Sequence, residues 1–186
     1  MTPLTTEMLS AQLNSIFSET INWFEAQPEA NFNKELMEGK WTMAGHLYHL
    51  IKSTKAVSKG LLMPKLALRI SFGKCNRTER SFEEQHQKYL KALDEFTKVS
   101  GSPAIPPSKF VPPEGRVFEK EALLNRFKLG GYDYCQALAK WNEKKLSVYV
   151  LPHPIMGKLT VREFTYFTIF HTKHHLDILQ GNYVDE

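Results

Sequence analysis

Apolar residues recur along this chain at the three-to-four-residue spacing of amphipathic helices, and no segment longer than a few residues alternates in the manner of a strand. Leu9, Leu13, Ile16, Phe17, Thr20 and Phe24 predict a first helix from about Thr6 to Gln27, stopped by Pro28, whose ring cannot continue it. A second helix begins behind Thr42, a good N-cap, and runs through Leu47, Leu50, Thr54 and Val57 toward Gly60, with Pro64 marking its exit. In Ser81-Phe82-Glu83-Glu84 a hydroxyl and a carboxylate stand at the spacing that satisfies free amides at a helix start, so a third helix is expected to about Val99. The stretch Gly101-Ser102-Pro103-Ala104-Ile105-Pro106-Pro107, followed by Pro112, Pro113 and Gly115, is too rich in proline for a helix or a central strand and reads as a long loop or crossover. A fourth helix is expected from Glu119 to Lys145, with Leu123, Leu124, Phe127, Tyr134, Leu138 and Trp141 inward and Gly130-Gly131 as a possible kink and a point of close packing. Beyond Leu151-Pro152-His153-Pro154 and Gly157, Thr160-Val161-Arg162-Glu163 repeats the capping spacing and opens a fifth helix that ends before Gly181.

Neither side of the proline-rich stretch holds enough apolar surface for a core of its own. The expectation is therefore one all-α domain over residues 1–186, an antiparallel four-helix bundle with an additional helix in the connections. A chain of 186 residues with 42% hydrophobic and 12% aromatic content is an ordinary globular composition. Its apolar runs are short and broken by charge, as where Leu61-Leu62-Met63 meets Pro64 and Lys65, far from the ~20 residues a membrane span needs. The start, Met1 to Glu7, has neither a basic leader nor an apolar core of the secretory type. A cytoplasmic protein with no membrane partner is expected, and the lone Cys75 and Cys135 suit a reducing compartment.

The formal charge of +4 is unevenly spread. Residues 1–51 carry six acids against Lys34 and Lys40, whereas residues 52–80 set Lys52, Lys55, Lys59, Lys65, Arg69, Lys74, Arg77 and Arg80 against Glu79 alone, a net +7. Such a stretch is either a solvated face or a surface for an anionic partner. Aromatic and basic residues are not interleaved as stacking platforms require, which argues against nucleic acid.

The chemical signal lies in His171-Thr172-Lys173-His174-His175. At about 100° per residue, His171 and His175 share an inward stripe with Phe164, Phe167, Thr168 and Ile178. Two imidazoles at i and i+4 can chelate one cation. Spacing alone leaves two readings open: a metal site, or buried rings satisfied by hydrogen bonds at the risk of ~1–3 kcal/mol per unpaired group. His174 sits at the edge of the stripe, where a substrate-contacting role is more natural. A further ligand would come from the second helix, where the wheel favours His46 over His49 because His46 lies nearer the face of Met43, Leu47 and Leu50. His86 and His153 read as surface residues on an exposed helix and in a loop.

Two stretches carry a resemblance. Gly39-Lys40-Trp41-Thr42-Met43-Ala44-Gly45-His46-Leu47-Tyr48-His49-Leu50 is similar to the Trp-Ser/Thr-x(6)-His-Leu segment of the DinB/YfiT-like superfamily of small helical metal-binding proteins. The run from His153-Pro154 through Gly157-Lys158-Leu159-Thr160 to His171-Thr172-Lys173-His174-His175 is similar to that family's His-Pro-x-x-Gly-x-Leu-Thr run followed by His-x-x-His-His. The resemblance implies that the histidine preceding the leucine of the first segment is a ligand, which selects His49 against the wheel. The implied metal set is His49, His171 and His175, holding a divalent zinc, nickel or iron ion with one position open. It also implies a homodimer, to which the abundance of aromatic side chains adds support, and a small-molecule chemistry. Characterised relatives transfer a low-molecular-weight thiol to an electrophile, and others are described as metal-dependent hydrolases. A non-catalytic metal- or ligand-binding stress-response protein is the alternative. Asp177 falls on the outer side of the fifth helix and Glu163 is engaged by its cap, so His174 is left as the candidate for proton transfer.

Overall fold

In the computed structural model, which describes residues 3–35, 40–100 and 106–181, the expected helices form where their capping residues stand. The first, α1 (Thr6–Ala26), starts with the Thr5 hydroxyl accepting from the amide of Met8. Past Pro28 a single turn, α2 (Glu29–Phe32), folds Phe32 into the core. The helix α3 (Met43–Leu62) begins behind Thr42, whose hydroxyl accepts from the amide of Gly45. Pro64 ends it and leads into α4 (Lys65–Phe72), where Gly73 stops the chain with φ +82. Ser81 and Glu84 close the reciprocal cap at the start of α5 (Phe82–Ser100). Residues Gly101 to Ile105 of the proline-rich connection lie outside the described residues, as does Gly39. From Pro106 onward the chain forms a strap with one 3-10 turn, Ser108–Phe110, leading to α6 (Lys120–Leu138).

The long fourth helix ends earlier than its periodicity suggests. The chain breaks after Leu138 and resumes as the short α7 (Glu143–Leu146) behind the Asn142 cap. Trp141 is buried as expected, but from the break, where its indole N–H donates to the Leu61 carbonyl at 3.1 Å. Gly130-Gly131 does not interrupt α6. A Cβ on Gly131 would lie 2.9 Å from the Phe17 ring, so this glycine is what lets α1 and α6 approach, while Gly130 faces open space.

A hairpin was not expected. β1 (Val150–His153) pairs antiparallel with β2 (Gly157–Thr160), pairing Leu151 with Leu159 across the ladder, and Gly157 makes the turn at φ +74. Four residues per strand are too few for a period to show, and the prolines at 152 and 154 disguise them. The chain then enters α8 (Val161–Leu179) through the Thr160/Glu163 capping box.

The helices α1, α3, α6 and α8 pack α1 on α6, α6 on α3, α3 on α8 and α8 on α1, and α5 lies against the outside of α8. This is the expected four-helix bundle with an additional helix in the connections. Every residue of α8 from Val161 to Thr172 is buried. Its buried threonines stay satisfied because the hydroxyls of Thr165, Thr168 and Thr172 donate to the carbonyls four residues back. No helix among the described residues is long and apolar enough to cross a membrane. Most aromatic side chains went into the core. Tyr132 is the one aromatic among the exposed large hydrophobics of the described residues, so exposed rings give little support to self-association.

Candidate metal centre

Where α3 faces α8, three imidazoles point their Nε2 atoms at one spot. His49 Nε2 stands 3.1 Å from His171 Nε2, and His175 Nε2 stands 3.2 Å from the same atom. All three rings are buried, and their candidate ligand atoms lie within 4.8 Å of one another. Burial and the neighbouring imidazoles hold every one of them neutral. Desolvation lowers His49 to about 4 and pushes His171 and His175 well below the ordinary histidine value.

The far nitrogens are held by the chain. His49 Nδ1 lies 3.1 Å from the carbonyl oxygen of Phe110 on the proline-rich strap, and an oxygen of that kind only accepts. Nδ1 must then carry the proton, which leaves Nε2 of the neutral ring as a bare lone pair. His175 Nδ1 lies 2.9 Å from His46 Nδ1, so one of these two donates to the other. Trp41 stacks flat beside His175, its ring centroid 6.3 Å away and its plane tilted by 9°, and Phe167 stacks on His171 at 4.7 Å.

These contacts test whether a cation fits. His171 Nε2 meets two nitrogens but holds at most one proton. If it donates to His49, it has no in-plane lone pair left for His175. If it accepts from His175, two lone pairs face each other at 3.1 Å across to His49. With hydrogen bonds alone, the three rings would have to share a single His171 Nε2 proton between two acceptors, a weak three-centre arrangement for buried imidazoles. A cation between them removes the conflict, and ligand nitrogens about 2.0–2.1 Å from a tetrahedral zinc stand about 3.3 Å apart, close to the separations seen. The donor set therefore fits a divalent metal.

The wheel preference for His46 and the geometry point to different residues. His46 is buried, with a ring that burial, and then the neighbouring His49 ring, lower to about 4, but it contacts His175 from behind and is not one of the three convergent rings. Residues 43–47, 49–51, 54, 57, 58, 60 and 61 of α3 are all buried, so this helix has two inner faces and a single wheel could not separate 46 from 49. His174 lies outside the triad, half-buried, its ring centroid 5.4 Å from that of His175 and 6.2 Å from that of Tyr89. His86 and His153 are not free surface residues. His86 stacks on Phe170 at 4.9 Å, and the half-buried His153 sits edge-on to Phe167 at 4.4 Å. Its Nδ1 accepts from the amides of Ile155 and Met156, and burial lowers it to about 4.

Sequence reasoning had no access to the Phe110 carbonyl, since any residue supplies one. Ser53, whose hydroxyl lies 3.4 Å from His49 Nε2, was also missed, although its i+4 position from His49 could have flagged it.

A family model of the DinB superfamily matches residues 12–179. No protein of curated function matches the chain. Among solved structures the chain is similar to TT2238, described as a four-helix bundle protein, with a TM-score of 0.56, 18% identity and coverage of 95% of this chain and 99% of that one. That likeness concerns the fold.

Proposed function

The chain belongs to the DinB superfamily, and from that premise we propose that it binds one divalent metal through His49, His171 and His175 and uses it in an enzyme reaction on a small molecule, of thiol-transfer or hydrolytic type. The observation that carries this reading is the convergence of three neutral, buried Nε2 atoms on one spot, with at most one proton at His171 Nε2 to share between the other two. Three protein ligands rather than four leave one position for a reactant. When bound, a zinc, nickel or iron ion supplies Lewis acidity there, to a thiol or a water.

The remaining roles fall to the chain. The Phe110 carbonyl fixes the tautomer and orientation of His49, and His46 orients His175, as partners behind metal-ligating histidines do. Trp41 and Phe167 keep bulk water from the rings they stack on. His174, beside the triad and half-buried, is the group placed to take or give a proton. A low-molecular-weight thiol is the proposed cosubstrate and a cytoplasmic homodimer the proposed form.

The burial of all three ligands favours a second reading, in which the metal only ties α3 to α8 in a non-catalytic binding protein. Metal analysis of purified protein tests the shared part: about one equivalent is expected, lost in His171→Ala/His175→Ala, and metal retained by that variant rejects the site. Incubating the loaded protein with thiols plus electrophiles, and with esters, separates the two readings. Turnover abolished by the same variant supports the enzyme, and inert loaded protein supports the second reading.

A further inference from the structure

The cationic stretch 52–80 takes no part in the metal centre, apart from Ser53, and the structure shows what surrounds its charges. On α4, Leu68 points into the core while Leu66 and Ile70, one turn apart, stand 67% and 77% exposed. Leu62, the last residue of α3, is 56% exposed just before the Pro64 corner. Three large aliphatic side chains in nine residues of sequence are thus held in water by a well-formed corner whose other face is buried. Three such side chains grouped at one corner make it a candidate contact surface.

The charges around this ridge come from four parts of the chain. Lys55 and Lys59 are exposed on the last turns of α3, Arg69 lies on α4 between Leu66 and Ile70, and Lys74 follows Gly73. Lys158 of β2 donates to the Phe72 carbonyl at 2.8 Å, which places it at the end of α4. Lys145 of α7 is near enough to Lys65 to lower its pKa, after burial, toward about 8. None of these cations is in an ion pair among the described residues. The acids closest in sequence are used elsewhere, Glu79 and Glu143 both by Arg162.

We propose that the α3–α4 corner, through Leu62, Leu66 and Ile70 and the lysines and arginine around them, docks on an anionic phospholipid surface. Charge complementarity selects this occupant. A second copy packed face to face would press the same unpaired cations together, whereas an anionic lipid surface neutralises them. Leu62, Leu66 and Ile70 are aliphatic, and aliphatic side chains beside long cationic ones match the apolar-to-headgroup boundary. Contact of this kind needs no spanning helix. The absence of a helix long and apolar enough to cross a membrane among the described residues agrees with the expectation of no membrane partner, and a surface contact of this kind goes beyond that expectation.

Sedimentation with vesicles of pure phosphatidylcholine and of phosphatidylcholine mixed with phosphatidylglycerol tests the proposal. Binding is expected to the anionic vesicles only, to weaken with added salt, to fall roughly 30-fold in Arg69→Gln/Lys74→Gln, as two cations at such a surface imply, and to fall at least as far in Leu66→Ser/Ile70→Ser. All four positions are exposed, and unchanged melting and metal content would show both variants folded. Equal binding to neutral vesicles, no binding at all, or full binding by the Leu66/Ile70 variant would overturn the proposal. So would a dimer that dissociates in that variant, because the face would then join two copies. None of these readouts depends on the metal reading, so either can fail alone.

Discussion

The two ends of α8 bury polar groups in opposite ways. At its start Glu163 is fully enclosed, yet each oxygen is matched within the chain: Arg77 forks onto both at 2.6 Å, and the amides of Arg80 and Thr160 reach them at 2.9 Å. Beside it Arg162 donates to Glu79 at 3.1 Å and to Glu143 at 2.9 Å, while Glu79 also accepts from Ser147 and Thr160. At the other end, His171 and His175 meet His49 in a set of neutral rings that has no counter-charge and at most one shared proton at its centre. Burial by itself therefore says little about function. The end whose ions and hydrogen bonds match is a brace, and the end where three lone-pair nitrogens converge is the one that could hold a metal ion.

That contrast can be broken most decisively by removing metal. Chelation of the loaded protein is expected to lower stability by about 4 kcal/mol if the free metal stood at a thousand times its dissociation constant, and to leave His171→Ala/His175→Ala unmoved. Thermal melting with and without chelator measures it, and an equal shift in both proteins would remove the centre from the comparison. Glu163→Ala strands the Arg77 guanidinium and removes the side-chain half of the α8 capping box, while the Thr160 hydroxyl keeps its bond to the backbone amide of residue 163, so a loss of about 3–5 kcal/mol in urea unfolding is expected. The folded fraction should still bind one metal, since the brace lies at the other end of the helix. His46→Ala leaves the triad intact but frees the back of His175. A 10- to 100-fold weaker metal affinity by competition titration is expected, without loss of stoichiometry.

The smallest effect separates the two ends by pH. Burial would raise the Glu163 carboxyl, but the Arg77 hydrogen bonds and the Arg80 and Thr160 amides outweigh it and hold it below the ordinary carboxylate value. Its contribution is present above that ordinary value and is lost as pH falls through the lowered one. His153, beside Phe167 at the metal end, is lowered from 6.5 to about 4 by burial, so in the unfolded chain it takes up a proton that the folded chain refuses. Its contribution is lost between 6.5 and about 4, at higher pH than that of Glu163. Unfolding of metal-free protein followed against pH should show the upper slope flattened in His153→Asn and the acid slope flattened in Glu163→Gln. A single slope untouched by either change would show that other groups control the acid stability.

What the sequence determined by itself was whatever neighbours along the chain can enforce. Thr42, Ser81 with Glu84, and Thr160 with Glu163 cap the helices they predict, because a cap is a hydrogen bond spanning three residues. His171 and His175 share a face because one helical turn places them there. The Leu138 break and the hairpin escaped for the converse reason. Apolar spacing runs on through Trp141 although the backbone turns aside, and strands of four residues are too short to show a period. The choice between His46 and His49 belonged to the tertiary structure, although the family resemblance named His49. Both are buried, and which Nε2 reaches His171 depends on how α3 is rotated against α8 and on a carbonyl of the strap some sixty residues away. A helical wheel measures one helix against an averaged surrounding. A centre built from two helices and a loop exists only once their mutual rotation is set by packing.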